Sequence, residues 1–249
     1  MFIFCNYIFF ILVDVEKAKY TFNYSLMRSL LLLVFAVIFI SFMPGKKLKV
    51  IFFGDSITEA GVKPGGYISL LDSIAKKNSS NHTFDFVGKG IGGNKVYDLL
   101  FRLDEDVIAM QPDVVVIYIG INDVWHKSLA GTGTDTDRFQ RFYQEIIDKL
   151  KAKNIKVILC TPSVIGEKTD HSNPQDGDLN AYANIVRHLS TTNNLPLVDL
   201  RKEFISYNLV NNASNAPSGV LTSDRVHLNT KGNLLVAQSI WKVLANLNL

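Results

Sequence analysis

Cysteine is scarce in this chain: two among 249 residues, Cys5 and Cys160. One lies in an N-terminal apolar stretch and the other ends the run KVILC, so no disulfide framework can form within the folded part. No Cys/His metal spacing occurs, and no metal is expected. Excess charge of one sign is also missing. The formal net charge is +3, and the acidic and basic residues before Lys46 leave +2 for the remainder. The basic residues are scattered and form no tail, which argues against a nucleic-acid surface. There is no internal repeat, no low-complexity linker and no G-x-S-x-G, which excludes the nucleophile elbow of α/β-hydrolases. No uninterrupted apolar run reaches the length of a membrane span; the run Leu30–Ile40 falls short of it.

That run nevertheless carries information. Met27 and Arg28 precede it and Pro44-Gly45-Lys46-Lys47 follow it, a positive region and then an apolar one of signal-peptide length. Residues 1–45 are therefore expected to be an N-terminal hydrophobic segment, either a signal peptide with its start at Met27 or an uncleaved membrane anchor. The folded domain is expected over 46–249, outside the cytoplasm: periplasmic, secreted or membrane-anchored.

A hydrophobic content of 47% is ample for a core. Five short apolar runs, Lys49–Phe53, Phe84–Val87, Val114–Ile119, Val157–Cys160 and Leu197–Val198, read as strands. Between and after them lie amphipathic segments near Tyr67–Lys76, Lys95–Met110, Asp137–Lys153, Asp178–Thr192 and Lys231–Leu247. The third run, VVVIYIG, is apolar on both faces, as suits a central parallel strand covered by helices. The alternation predicts an α/β fold with a parallel sheet. Two polar, glycine-rich loops, 128–136 and 166–177, follow strand ends at the carboxyl edge, where ligands bind in such sheets.

Chemistry-bearing residues gather at the same edge. In VIFFGDSITEAG, Ser56 with Glu59 fits a capping box, Ser at the N-cap and Glu at N3. Ser56 is equally placed to be a nucleophile, which needs a base, an acid to orient the base, and donors for an oxyanion. Of five histidines, His82 sits in a polar turn, His188 on a helix, His171 in a loop and His126 after the third strand. His227 stands in TSDRVHLNTKGN with Asp224 three residues before it, a spacing that lets the carboxylate reach one ring nitrogen; a loop cap and a surface histidine are the alternative. Gly92-Gly93 can present a backbone N–H without a side chain in the way. Asn122, in YIGINDVWH, is either an amide donor or a turn residue. Val124 and Trp125 beside it are candidates for a short acyl pocket or for packing under the next helix.

Taken together, GDSITEAG, GKGIGGN, GIND and DRVHLN resemble the four blocks of the SGNH (GDSL-type) hydrolase family, in its order, across nearly all of 49–247. The resemblance implies a three-layer α/β/α sandwich, flavodoxin-like, with a five-stranded parallel sheet. It implies Ser56 as nucleophile, His227 as base and Asp224 as its orienting acid, with the Ser56 N–H, Gly93 and Asn122 forming the oxyanion hole. A mild departure is Gly88, where the family often carries Asn. The expected activity is a cofactor-free serine esterase for small acyl, acetyl-type esters, on carbohydrate for preference. A lysophospholipase, or a catalytically silent glycan- or lipid-binding module on the same fold, is the alternative. The expected partner is a small-molecule, glycan or lipid ester, with no nucleic acid, and with membrane attachment only through the N-terminal segment. The sequence leaves the oligomeric state open.

Overall fold

The apolar runs form five strands, and all pair in parallel. A computed structural model describes residues 27–32, 47–78 and 83–247. The expectations for the signal region, its cleavage and Cys5 lie outside these residues, apart from a short helical stretch at 27–32, and so does His82. Among the described residues no helix is long and apolar enough to cross a membrane. Lys46–Leu249 forms one compact unit.

In chain order the strands are β1 (Lys47–Gly54), β2 (Thr83–Gly90), β3 (Val114–Tyr118), β4 (Lys156–Cys160) and β5 (Leu197–Val198). The helices are α1 (Ser56–Gly61), α2 (Tyr67–Asn78), α3 (Val96–Asp106), α4 (Ile121–Ala130), α5 (Thr136–Ala152), α6 (Asp176–Asn193), α7 (Leu200–Asn211) and α8 (Thr230–Leu244). The sheet order is β2-β1-β3-β4-β5, the flavodoxin-like order. Every residue of β3 is buried, as its apolar run on both faces requires. Helix α2 packs against α8, and α3, α5 and α6 pack in succession; with the right-handed crossovers that parallel strands require, the two sets cover opposite faces and complete three layers.

The expected helical segments are present with two refinements. The segment 95–110 is α3 followed by a separate 3₁₀ turn, Ile108–Met110, closed by Gln111 at φ 49°. The loop expected from residue 128 begins later, because α4 runs to Ala130 and ends on Gly131 in the left-handed region. Helix α7 carries no readable periodicity. Its buried face mixes Arg201 and Asn208 with Leu200 and Phe204, while Leu209 and Val210 are exposed, so the apolar stripe of an amphipathic helix is broken.

Backbone pairing sets the carboxyl edge. Gly54 pairs with Gly90 of β2 and with Tyr118 of β3, and Tyr118 pairs with Cys160 of β4. At the end of β2, helix α1 lies directly on the strand: a Cβ built on Gly90 would stand 2.1 Å from Glu59 N and 2.6 Å from Asp55 O. These are backbone atoms, which cannot rotate away. Gly90→Ala is therefore expected to cost about 1–3 kcal/mol of stability, the range for overpacking, read as a lowered urea midpoint. An unchanged midpoint contradicts this close approach.

Candidate active site

Ser56 is the first residue of α1, and the cap is Asp55. The Asp55 side chain accepts the Ile57 N–H at 3.0 Å and is buried. This corrects the capping-box reading by one position. Asp55 is the residue with non-helical backbone angles, φ −103° and ψ −149°, and an N-cap must be non-helical. Glu59 does not reach back either; its Oε2 accepts the Gly92 N–H at 2.8 Å. The Ser56 hydroxyl is thus free of capping duty.

That hydroxyl meets His227 Nε2 at 3.0 Å, across 171 positions of sequence. His227 Nδ1 lies 2.6 Å from Asp224 Oδ2. A carboxylate can only accept, so Nδ1 carries the proton and Nε2 is left as an acceptor facing Ser56. The other oxygen, Asp224 Oδ1, accepts the N–H groups of Val226 and His227 at 3.1 and 2.8 Å. Partial burial pushes the Asp224 carboxyl up, but the bonds from His227 and Val226 outweigh it and hold the group below its usual range. The turn is closed by a Thr222–Leu228 bridge and by Ser223 N–H donating to His227 O at 2.8 Å. Two residues beyond His227, Asn229 caps α8.

The loop after β2 brings Gly92 and Gly93 to the same edge. With the Gly92 N–H taken by Glu59, the Gly93 N–H has no acceptor among the described residues. Gly93 has φ +78°, a conformation only glycine adopts cheaply. Lys95, buried, donates from Nζ to Gly93 O at 3.3 Å. Asn122 is the second residue of α4 and 3% exposed; its Nδ2 donates to Asn94 O at 3.1 Å, which leaves one amide hydrogen unspent. The cap of α4 is Gly120, so Asn122 is not a cap.

Of the two pocket candidates, Val124 is corrected. It is 1% exposed and packs in the hydrophobic core, because α4 turns that face onto the sheet. Trp125 is partly buried and stands edge-on to the His227 ring, centroids 6.4 Å apart. His126 borders Gly93. His171 instead lines a separate cavity of about 140 Å³ with Lys168 and Arg201, and His188 lies on the exposed side of α6.

Sequence reasoning missed the supports. Arg102 on α3 donates to Gly54 O at 2.8 Å, Lys89 O at 3.0 Å and Asn94 Oδ1 at 2.8 Å, tying the ends of β1 and β2 to the glycine loop. Asp123, fully buried, accepts the Val96 N–H on both oxygens at 3.2 and 3.3 Å, joining the start of α4 to the start of α3. Asp123 lies inside GIND, the one signal available for it, whereas Arg102, eight residues beyond GKGIGGN, offered none.

Comparison with known proteins agrees with this picture. Residues 52–235 match the GDSL-like lipase/acylhydrolase family. The crystal structure of an acetyl xylan esterase, AlAXEase, is 56% identical, with a TM-score of 0.77 over 80% of this chain and 100% of that one. An acetylxylan esterase of Geobacillus stearothermophilus is 29% identical over 80% of this chain and 94% of its own length. Structures of its catalytic mutants, with a serine, an aspartate or a histidine changed to alanine, match at TM-score 0.71 and 27% identity, over 81% of this chain and 95% of theirs. An uncharacterized lipoprotein of Bacillus subtilis is 26% identical over 77% of this chain and 87% of its own.

Burial raises both Asp55 and Asp123 from 3.8 to about 7. The folded chain then binds more protons than the unfolded chain between the two values. The stability these groups contribute is fully present below about 4 and is lost as pH rises through about 7. The unfolding free energy is expected to fall between about pH 4 and about pH 7, and Asp123→Asn to flatten that fall. Identical slopes in urea titrations of the two proteins contradict the assignment.

Proposed function

The chain belongs to the GDSL-like lipase/acylhydrolase family, and from that premise we propose that it is a serine esterase that removes acetyl and similar small acyl groups from carbohydrate. The observation that carries this reading is the hydrogen-bonded series Ser56 Oγ–His227 Nε2 at 3.0 Å and His227 Nδ1–Asp224 Oδ2 at 2.6 Å. The 56% identity to an acetyl xylan esterase supports the substrate class. The catalytic mutants of the Geobacillus stearothermophilus esterase support the roles, since their aspartate and histidine are also three positions apart.

In this mechanism Ser56 Oγ attacks the ester carbonyl carbon as its proton passes to His227 Nε2. Asp224 stays ionised and stabilises the imidazolium. Negative charge gathers on the former carbonyl oxygen, where the N–H groups of Ser56 and Gly93 and the second Nδ2 hydrogen of Asn122 receive it. Collapse breaks the C–O bond to the sugar, and His227 returns the proton to the departing alcohol oxygen. Water then attacks the acyl-serine, again through His227, releasing the carboxylic acid and restoring Ser56. No step calls for a metal or cofactor. Trp125, beside His227, borders the space for the leaving sugar or the acyl methyl.

The domain reading, residues 1–45 as leader or anchor and 46–249 as the esterase, is part of the proposal, as is a location outside the cytoplasm. A lipoprotein relative and the apolar run after Arg28 support both.

Two expected outcomes test the roles. Ser56→Ala and His227→Ala should each lower kcat on p-nitrophenyl acetate and on acetylated xylo-oligosaccharide by several orders of magnitude with the fold intact. If His227→Ala keeps a tenth of the activity, a different base is at work. Asn122→Ala should cut kcat about a hundred- to a thousandfold with little change in KM, because its free hydrogen acts on charge that exists only in the transition state. A normal kcat with a lowered melting temperature removes Asn122 from the oxyanion hole.

A further inference from the structure

The base and its orienting acid sit on an exposed turn. The side chains of His227 and Asp224 are 38% and 52% accessible. Val226, between them, is buried in the core, but that apolar contact does not aim the two polar side chains, and Nε2 must stay within hydrogen-bond reach of Ser56. Within the turn, Arg225 is held at φ +86°, a left-handed conformation that a residue with a Cβ occupies only under constraint from its surroundings. Beyond the Val226 anchor, the backbone of the turn needs a further constraint from outside it.

The loop after β4 supplies it. Glu167 is 1% exposed, and its carboxylate accepts three successive backbone N–H groups: Val220 on Oε2 at 2.8 Å, and Leu221 and Thr222 on Oε1 at 2.6 and 2.8 Å. Thr222 is one end of the bridge that closes the turn. The residue before Glu167 grips the turn at a second point, Gly166 N–H donating to Arg225 O at 2.8 Å. Glu167 is itself fixed: its N–H donates to Pro217 O at 3.0 Å, and its carbonyl accepts from Asn212 Nδ2 at 2.7 Å. A continuous path therefore runs from β4 through Glu167 to residues 220–222, and on to Asp224 and His227.

We propose that Glu167 is a positioning residue for the Asp224–His227 pair, its buried carboxylate setting the place of the turn from which His227 reaches Ser56. This rests on the reading of Ser56, His227 and Asp224 given above. Three N–H donors on one carboxylate define a direction as well as a distance, so the clamp fixes the approach of the turn and not merely its attachment. Glu167 touches neither Ser56 nor the ester. It acts through His227, so its loss falls on kcat and leaves substrate binding nearly untouched.

The test compares the full chain with Glu167→Gln and Glu167→Asp. Gln keeps the shape but turns one acceptor oxygen into a donor that faces N–H groups. Asp keeps the charge but withdraws it by one methylene. Two readouts are taken on folded protein: kcat and KM on p-nitrophenyl acetate, and the downfield proton resonance of the His227 Nδ1–H bonded to Asp224. Glu167→Gln is expected to lower kcat roughly ten- to a hundredfold, the scale of an ångström-sized misplacement, with KM within about twofold and the resonance broadened or lost. If Glu167→Gln does not fold, the same pair of readouts on Glu167→Asp decides. An unchanged resonance and unchanged kcat per folded molecule overturn the proposal. Ser56→Ala is run beside them. If it remains active, the nucleophile assignment fails, and the resonance alone still reports whether Glu167 places the Asp224–His227 pair.

Discussion

The parallel pairing of β1 with both β2 and β3 is the constraint from which the site follows. Gly54, Gly90, Tyr118 and Cys160 stand in one row across four strands. Neighbouring strands are about 4.8 Å apart, so loops that leave from one row are neighbours however distant they are in sequence. Ser56 follows the β1 member of the row, Gly93 the β2 member and Asn122 the β3 member. In the order β2-β1-β3 the chain leaves β1 in both directions, and the crevice this opens is where doubly wound sheets bind ligands. The serine sits at that crevice because it opens the helix that follows the strand where the order reverses.

His227 does not come from the end of a strand; it arrives from the segment between α7 and α8. Its placement shows a device used three times in this domain. Asp55, Asp123 and Glu167 are each at most 2% exposed, and each is bonded to backbone N–H groups. Asp55 holds the start of α1, which carries Ser56. Asp123 holds the start of α3, just after the glycine loop. Glu167 holds the segment that leads to His227. Backbone N–H groups at helix starts and in turns lack regular partners and need acceptors. A buried carboxylate answers that need and is left with no reason to move. The cost is desolvation, visible in the raised Asp55 and Asp123, and its benefit is the fixed relation of three segments that must meet within hydrogen-bond distance.

Much of this was legible in the sequence for local reasons. Strands β1, β3 and β4 are built around continuous apolar runs, Val50–Phe53, Val114–Tyr118 and Val157–Cys160, and α5 repeats its apolar residues at helical spacing. Elements built on a regular period can be read without knowing what they touch. Helix α7 could not, because Arg201 is buried by partners far away in sequence: Ser163 O, Asn180 Oδ1 and Asp176 Oδ1. Val124 looked like a wall of the site because it lies between Asn122 and Trp125, but α4 rotates it by about 200° from Asn122 and into the core. Asp55 was overshadowed by Ser56 because both are good caps and only backbone angles distinguish them.

The sequence by itself determined the family, the α/β class and the residue types that could do the chemistry, since these depend on short motifs, on apolar periodicity and on the reactivity of side chains. It also carried the Asp224–His227 relation, because three residues in a turn lie within reach of one another whatever the rest of the chain does. Only the tertiary structure decided that Ser56 is freed by Asp55 to face His227, that Gly92 is occupied and Gly93 is not, and that Glu167 grips the turn. Each of these is a hydrogen bond between specific atoms, and a hydrogen bond is made or lost within a fraction of an ångström. That distance is set by the packing of the whole sheet and its helices, and no local stretch of sequence contains it.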